Sequence, residues 1–178
     1  MTELPGTPRF DVCGAVAGGR IYVLSGVHRG PSPKTGGYAN VVDAWEYDLG
    51  RARWSRLPDL PHRSNQHGLA VAGRYVVMLG AYRYGITRGP DGRLEEVYTA
   101  EEKSRNWKTF FERTVMVFDT KTRRLQETDA LLDTTSWPMA AVDGSIIFTL
   151  GGEGGRRLWH PATFQIGQVK LSRGDNHE

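Results

Sequence analysis

An apolar run that closes on a pair of small residues recurs three times along this chain. The copies read VAGGRIYVLSG (Val16–Gly26), VAGRYVVMLGA (Val71–Ala81) and VDGSIIFTLGG (Val142–Gly152). A second phrase follows each: EYDLGRARW (Glu46–Trp54), VFDTKTRRL (Val117–Leu125) and LWHPATFQI (Leu158–Ile166). Within it Tyr47 and Trp54, Phe118 and Leu125, and Trp159 and Ile166 are each seven residues apart. Self-similarity over tens of residues is the mark of a repeat architecture. The loop between the two phrases takes up all the difference in length, so the scaffold is constant and variation is confined to loops.

The β-branched and aromatic content of these runs predicts strands, four to a repeat. In the first repeat they are Phe10–Ala17, Arg20–Ser25, Val41–Tyr47 and Arg53–Leu57. In the second they are Leu69–Ala72, Arg74–Leu79, Thr114–Asp119 and Arg124–Thr128. In the third they are Met139–Val142, Ser145–Leu150, Leu158–Trp159 and Gln165–Leu171. Leu57–Gly68 and Leu131–Pro138 cross between repeats. One insertion breaks the strand rhythm. From about residue 93 to about 111, Leu94, Val97, Tyr98, Trp107, Phe110 and Phe111 recur at helix-like intervals, which predicts a short amphipathic helix on one rim.

Composition adds little against this picture and excludes several classes. The 178 residues suffice for one domain with a sizeable core. The 22 glycines and 5 tryptophans suit a turn-rich β protein. The net charge is only +3, with both signs interspersed, so neither a nucleic-acid stripe nor a polybasic membrane patch is present. Cys13 is the one cysteine, which excludes an intrachain disulfide. No run approaches the roughly 18 apolar residues of a membrane span. The start, MTELPGTPRF, lacks the basic and apolar regions of a signal peptide. The expected compartment is the cytoplasm, or the periplasm if the start has been trimmed.

Four-stranded units with a glycine pair followed by an aromatic pair resemble the kelch repeat. The marks are Gly151-Gly152, with Ser25-Gly26 and Gly80-Ala81 as degraded copies, and the Tyr47/Trp54 pair. The resemblance implies an all-β fold of propeller blades around a central axis. Blade 1 spans about residues 9–58, blade 2 about 63–130 and blade 3 about 137–171. Leu125 and Ile166 stand where the motif has tryptophan, and each keeps a large apolar group for packing between blades. Three blades fall short of the about four to eight that close a ring. The expectation is half of a six-bladed ring, completed either by the remainder of a longer or split protein or by a second copy in a homodimer.

Alternating strand direction brings the loops between second and third strands onto the same face as the crossings. That face collects His28, Arg29 and Tyr38; Arg63, Asn65 and His67; Arg83, Tyr84 and Arg88; Ser136 and Trp137; and Glu153, Arg156 and Arg157. Guanidiniums fork carboxylates, and aromatic rings stack on the C–H face of a sugar. The expected partner is therefore a small acidic sugar, with Arg63, Asn65, His67, Arg83, Tyr84 and Trp137 as its binding residues.

The segment GGEGGRRLW after an apolar strand resembles the GE…R segment of the N-acetylneuraminate epimerases, the kelch-type sialic acid mutarotases. The order of features upstream is also similar: a Phe-Phe pair (Phe110-Phe111), a strand ending Phe-Asp (Val115–Asp119), and an aromatic before a small-residue strand (Trp137–Val142). The resemblance implies that Glu153, with Arg157 or Arg156, carries the activity, and that no metal or cofactor is needed. A kelch-like copper oxidase is the competing enzyme. Cys13 follows an aromatic on an inner strand as that enzyme's cross-linking cysteine does. Its tyrosine partner is matched by Asn65, however, and His28, His62, His67, His160 and His177 show no paired-ligand spacing. The remaining alternative is a propeller segment that binds carbohydrate or protein without catalysis.

Overall fold

The computed structural model describes residues 3–29, 38–61, 63–84, 86–88, 94–96, 109–128, 131–154 and 163–170. Within these, backbone alone is described at 38–39, 83–84, 86–88, 94–96 and 109–110. All the regular structure among the described residues is β. The first repeat supplies β1 (Cys13–Ala17), β2 (Arg20–Leu24), a rim hairpin of β3 (Val27–Arg29) and β4 (Tyr38–Asn40), then β5 (Trp45–Asp48) and β6 (Arg53–Arg56). The second supplies β7 (Gly68–Ala72), β8 (Tyr75–Tyr84), a rim hairpin of β9 (Ile86–Arg88) and β10 (Leu94–Glu96), then β11 (Thr109–Asp119) and β12 (Arg124–Thr128). The third supplies β13 (Met139–Asp143), β14 (Ile146–Leu150) and β15 (Phe164–Gln168).

These pair into antiparallel sheets ordered β1-β2-β5-β6, β7-β8-β11-β12 and β13-β14-β15. Each sheet is one blade, and each blade lays one face on the next. Between the first and second blades, Ala15, Ala17, Tyr22 and Leu24 meet Val76, Met78, Met116 and Phe118. The rings of Tyr22 and Phe118 tilt together there with centroids 5.5 Å apart. Between the second and third, Ala70, Val77 and Leu79 meet Ile147 and Ala140. Successive strand residues point to opposite faces, so both faces of the middle blade are apolar. Stacked meander sheets that share their faces in this way are blades of a β-propeller.

The register makes the repeat quantitative. Ala17 faces Arg20, Ala72 faces Tyr75 and Asp143 faces Ile146, so the inner hairpins superpose residue for residue. The small pair after each second strand has a shared backbone reason. Ser25, Gly80 and Gly151 hold φ of 59, 61 and 65°, the left-handed region. Gly80 also passes so close beneath the Thr135 carbonyl that a methyl group there would collide with it.

Two expectations are corrected. The described parts of the stretch expected as a helix are strands: Leu94–Glu96 pairs with Ile86–Arg88, while Phe110 and Phe111 pair with Arg83 and Tyr82. Residues 97–108 lie outside the described residues. At Leu94, Phe110 and Phe111 backbone pairing across an antiparallel rim extension takes the place of the expected helix. The second correction concerns the third blade. Tyr47 faces Ile21 and Phe118 faces Val76, but the residue facing Ile147 is Gly167. The segment Phe164–Gln168, which overlaps the outer strand expected over Gln165–Leu171, is therefore the third strand. The alternating Phe164, Ile166 and Gln168 match the pleat of β14, which a seven-residue aromatic spacing by itself does not test. Leu158–Trp159 and the residues after 170 lie outside the described residues.

Candidate functional site

The crossings are the innermost segments of this rim, and each is pinned in the same way. Phe10 exchanges both backbone hydrogen bonds with Val27, Asn65 with Tyr82, and Ser136 with Glu153. The first member of each pair lies three residues before its inner strand, and the second lies three residues after the leucine that ends the apolar run. The residue after each crossing member is left-handed although it is not glycine: Asp11 (φ 50°), Gln66 (57°) and Trp137 (48°). Such residues persist only where surrounding contacts hold them, and they cluster at functional sites. Here the contacts are visible. The Trp137 amide donates to the Gln66 carbonyl at 2.6 Å, and Gln66 Nε2 donates to Asp11 Oδ2 at 3.4 Å. The three residues thus form one linked arc across three blades, with the Trp137 side chain 48% exposed at its end.

Glu153 joins this arc from the strand side. Its amide donates to the Ser136 carbonyl at 2.8 Å, and the Ser136 amide returns the bond at 2.9 Å. Directly opposed residues of an antiparallel pair present their side chains to the same face. The side chain of half-buried Glu153 therefore leaves on the same face as that of buried Ser136, one residue before Trp137. Gly152 makes this approach possible. With φ of 99°, it lies against Thr135 and the Ser136 carbonyl, where a side chain would collide. Residues 155–162, Arg156 and Arg157 among them, lie outside the described residues.

The other expected residues divide. Arg63 is half-buried, and its carbonyl accepts a 2.6 Å bond from Asn40 Nδ2. Asn65 and His67 lie beneath the rim, buried. Asn65 Nδ2 donates to Asn40 Oδ1 at 3.0 Å, which ties the first crossing to the first rim hairpin. His67 Nδ1 donates to the Gly80 carbonyl at 2.6 Å, and its Nε2 pairs with the Ser64 hydroxyl at 3.1 Å. Both ring nitrogens and the asparagine Nδ2 are thus engaged within the protein, His67 Nδ1 on backbone and the other two on side chains. Arg83 and Tyr84 belong to β8, opposite Phe110 and Thr109, and their side chains lie outside the described set. The buried Cys13 thiol is pushed up from its ordinary value, chiefly by burial, and its Sγ sits 3.6 Å from the His67 carbonyl. That environment gives an inert core cysteine. Among the described residues no three His, Cys, Asp or Glu side chains gather in a metal-binding group.

Sequence reasoning missed Asp11 and Gln66. The signal was available, because both stand two residues before an inner strand, as Trp137 does. Their residue types differ, however, so only the shared backbone conformation makes the equivalence visible.

Comparison with known proteins bears on the fold. The solved structure of YjhT superposes with a TM-score of 0.61 at 19% identity, over 85% of this chain and 47% of that one. This chain adopts part of a β-propeller. It spans about half the length of YjhT. No family model matches the sequence, and no curated protein does.

Proposed function

We propose that this chain carries the sugar-handling rim of a propeller of the sialic acid mutarotase kind, with Glu153 as its proton-transfer residue. The observation that carries this reading is the reciprocal backbone pairing of Glu153 with Ser136. It fixes the Glu153 backbone against the crossing that leads into the exposed Trp137. The resemblance of GGEGGRRLW to the GE…R segment of that family adds the assignment of substrate.

Mutarotation needs little else. A base takes the proton of the anomeric hydroxyl as an acid protonates the ring oxygen, and the C–O bond of the hemiketal breaks to a ketone. Rotation and the reverse steps close the ring on the other face, with no net change in atoms or electrons. A carboxylate serves either step. The indole face stacks on the sugar's C–H surface, and Arg156 or Arg157 would fork the sugar carboxylate. In this reading Asn65 and His67 are positioning residues below the rim, since Asn65 Nδ2 and both His67 nitrogens are engaged by Asn40, Ser64 and Gly80.

The test is anomer exchange of N-acetylneuraminate followed by NMR at protein concentrations where the assembly is complete. Glu153→Gln should slow exchange by about 10²- to 10⁴-fold, the usual worth of a positioned acid–base group. Its urea-unfolding midpoint should be unchanged. Exchange at the wild-type rate in this variant would remove Glu153 from the chemistry. A wild-type chain that binds the sugar without accelerating exchange would leave the non-catalytic propeller as the better reading. The internal engagement of Asn65 and His67, which removes two polar groups from the rim, favours that second reading.

A further inference from the structure

Among the described residues the first and third blades each leave one face open, and the residue-by-residue register says what each face is built to meet. On the face that the first blade turns to the second stand Cys13, Tyr22, Leu24 and Glu46. The same positions in the second blade are Gly68, Val77, Leu79 and Val117, and that face meets the third blade. In the third blade they are Met139, Phe148, Leu150 and Ile166. The leucine shows the consequence: Leu24 is 1% exposed, Leu79 4%, and Leu150 51%. Met139, Phe164 and Ile166 are exposed beside it.

The opposite faces follow the same rule. In the second blade Val71, Val76, Met78 and Phe118 receive the first blade. Their counterparts in the first blade are Val16, Ile21, Val23 and Tyr47. None of these is buried, and Val16 is 62% exposed. Trp45 on this face is held by Asp43 and approached by Gly6, so the lead-in covers that edge and leaves Val16 clear. One chain therefore carries an open donor face on its third blade and an open acceptor face on its first. These are the two halves of an interface it already makes twice internally.

We propose that the occupant of both faces is a second copy of this chain. The third blade of each copy packs on the first blade of the other, around a two-fold axis that coincides with the propeller axis. A contact between two different patches closes into a ring only when the rotations sum to a full turn. Two three-bladed chains give six blades, inside the about four to eight that propellers use, whereas three chains exceed that range. The inference does not depend on the chemistry assigned to Glu153.

Sedimentation velocity of the intact chain is the direct test. The expected species has twice the 19.9 kDa mass of one chain. Leu150→Asp and Val16→Asp should each give a folded monomer, judged by an unchanged β-type circular dichroism spectrum. Mixing the two variants should restore a dimer, because the intact third blade of one meets the intact first blade of the other. A monomeric wild type would overturn the proposal and point to further blades from a longer protein. Open polymers of increasing mass would overturn it as well. So would a dimer that Leu150→Asp abolishes and Val16→Asp leaves untouched, since that pattern means two third blades facing each other. Should Leu150→Asp fail to fold, the wild-type mass and Val16→Asp still decide.

Discussion

The left-handed residues set the shape of this rim. Ser25 and Gly151 directly follow their second strands and Gly80 lies at the register shift within β8, while Asp11, Gln66 and Trp137 lead the crossings into the inner strands. At Gly80 a side chain is excluded because the crossing residue Thr135 runs directly overhead. Gly80→Ala tests this. Serine occupies the equivalent position in the first repeat, so the backbone conformation is tolerated there. The added methyl at residue 80 also meets the Thr135 carbonyl and side chain. A loss of about 2–4 kcal/mol is expected from left-handed strain plus overpacking, read as a lower urea midpoint with an unchanged slope.

Among elements, the outer hairpins are closed by a repeated acidic residue. Asp48 Oδ1 accepts from the Arg51 amide at 2.9 Å, and Asp119 Oδ1 from the Lys121 and Thr122 amides at 2.9 and 3.2 Å. The Arg51 amide bond leads in holding the Asp48 carboxyl below its ordinary range, with Arg20 adding to it. Burial pushes the Asp119 carboxyl up, but the two amides, the Thr122 side chain and Arg74 more than cancel it, and the net shift is down. A carboxyl whose folded value is depressed stabilises the fold above its unfolded value, near about 4. That contribution is lost as pH falls through the folded value. Asp119→Asn should therefore be less stable than wild type at pH 7, and the gap should narrow toward pH 2–3, measured by urea unfolding at each pH. A gap independent of pH would mean that the turn geometry, rather than the charge, supplies the stability. A second charge contact joins elements across blades: Arg123, in the turn after β11, pairs with the buried Glu46 of β5. The four main-sheet strands of each of the first two blades were legible from sequence because both phrases alternate correctly there, whereas the rim hairpins were not. The third was misaligned because LWHPATFQI carries an aromatic and an apolar residue at the right distance, while the pairing partner of β14 begins only at Phe164.

For the molecule as a whole, the exposed row of Met139, Leu150, Phe164 and Ile166 is the dominant feature, since contiguous apolar surface of this kind marks an interaction site. Closure by a second copy links folding to association, and a ligand that binds only the folded state raises apparent stability by mass action. The thermal midpoint of the wild-type chain should therefore rise with protein concentration. That of Leu150→Asp should stay constant, followed by circular dichroism over a hundredfold range. A ring of two copies would also carry two equivalent Glu153 sites, one per half.

The sequence by itself determined the repeat, the inner hairpins, the small pair that ends each apolar run, and the rim position of Glu153. All of these rest on local spacing and residue chemistry, which a linear chain displays. Only the tertiary structure decided that Asn65 and His67 are buried supports, that Asp11, Gln66 and Trp137 are equivalent, and that Phe164–Gln168 is a third strand. It also revealed which face of the first and third blades has no neighbour among the described residues. Those facts depend on strand register and on which segment lies across which, and hydrogen bonds between residues distant in the chain fix them. Hydrophobic alternation marks two faces on every strand, but only the packed blades show which of them has a neighbour.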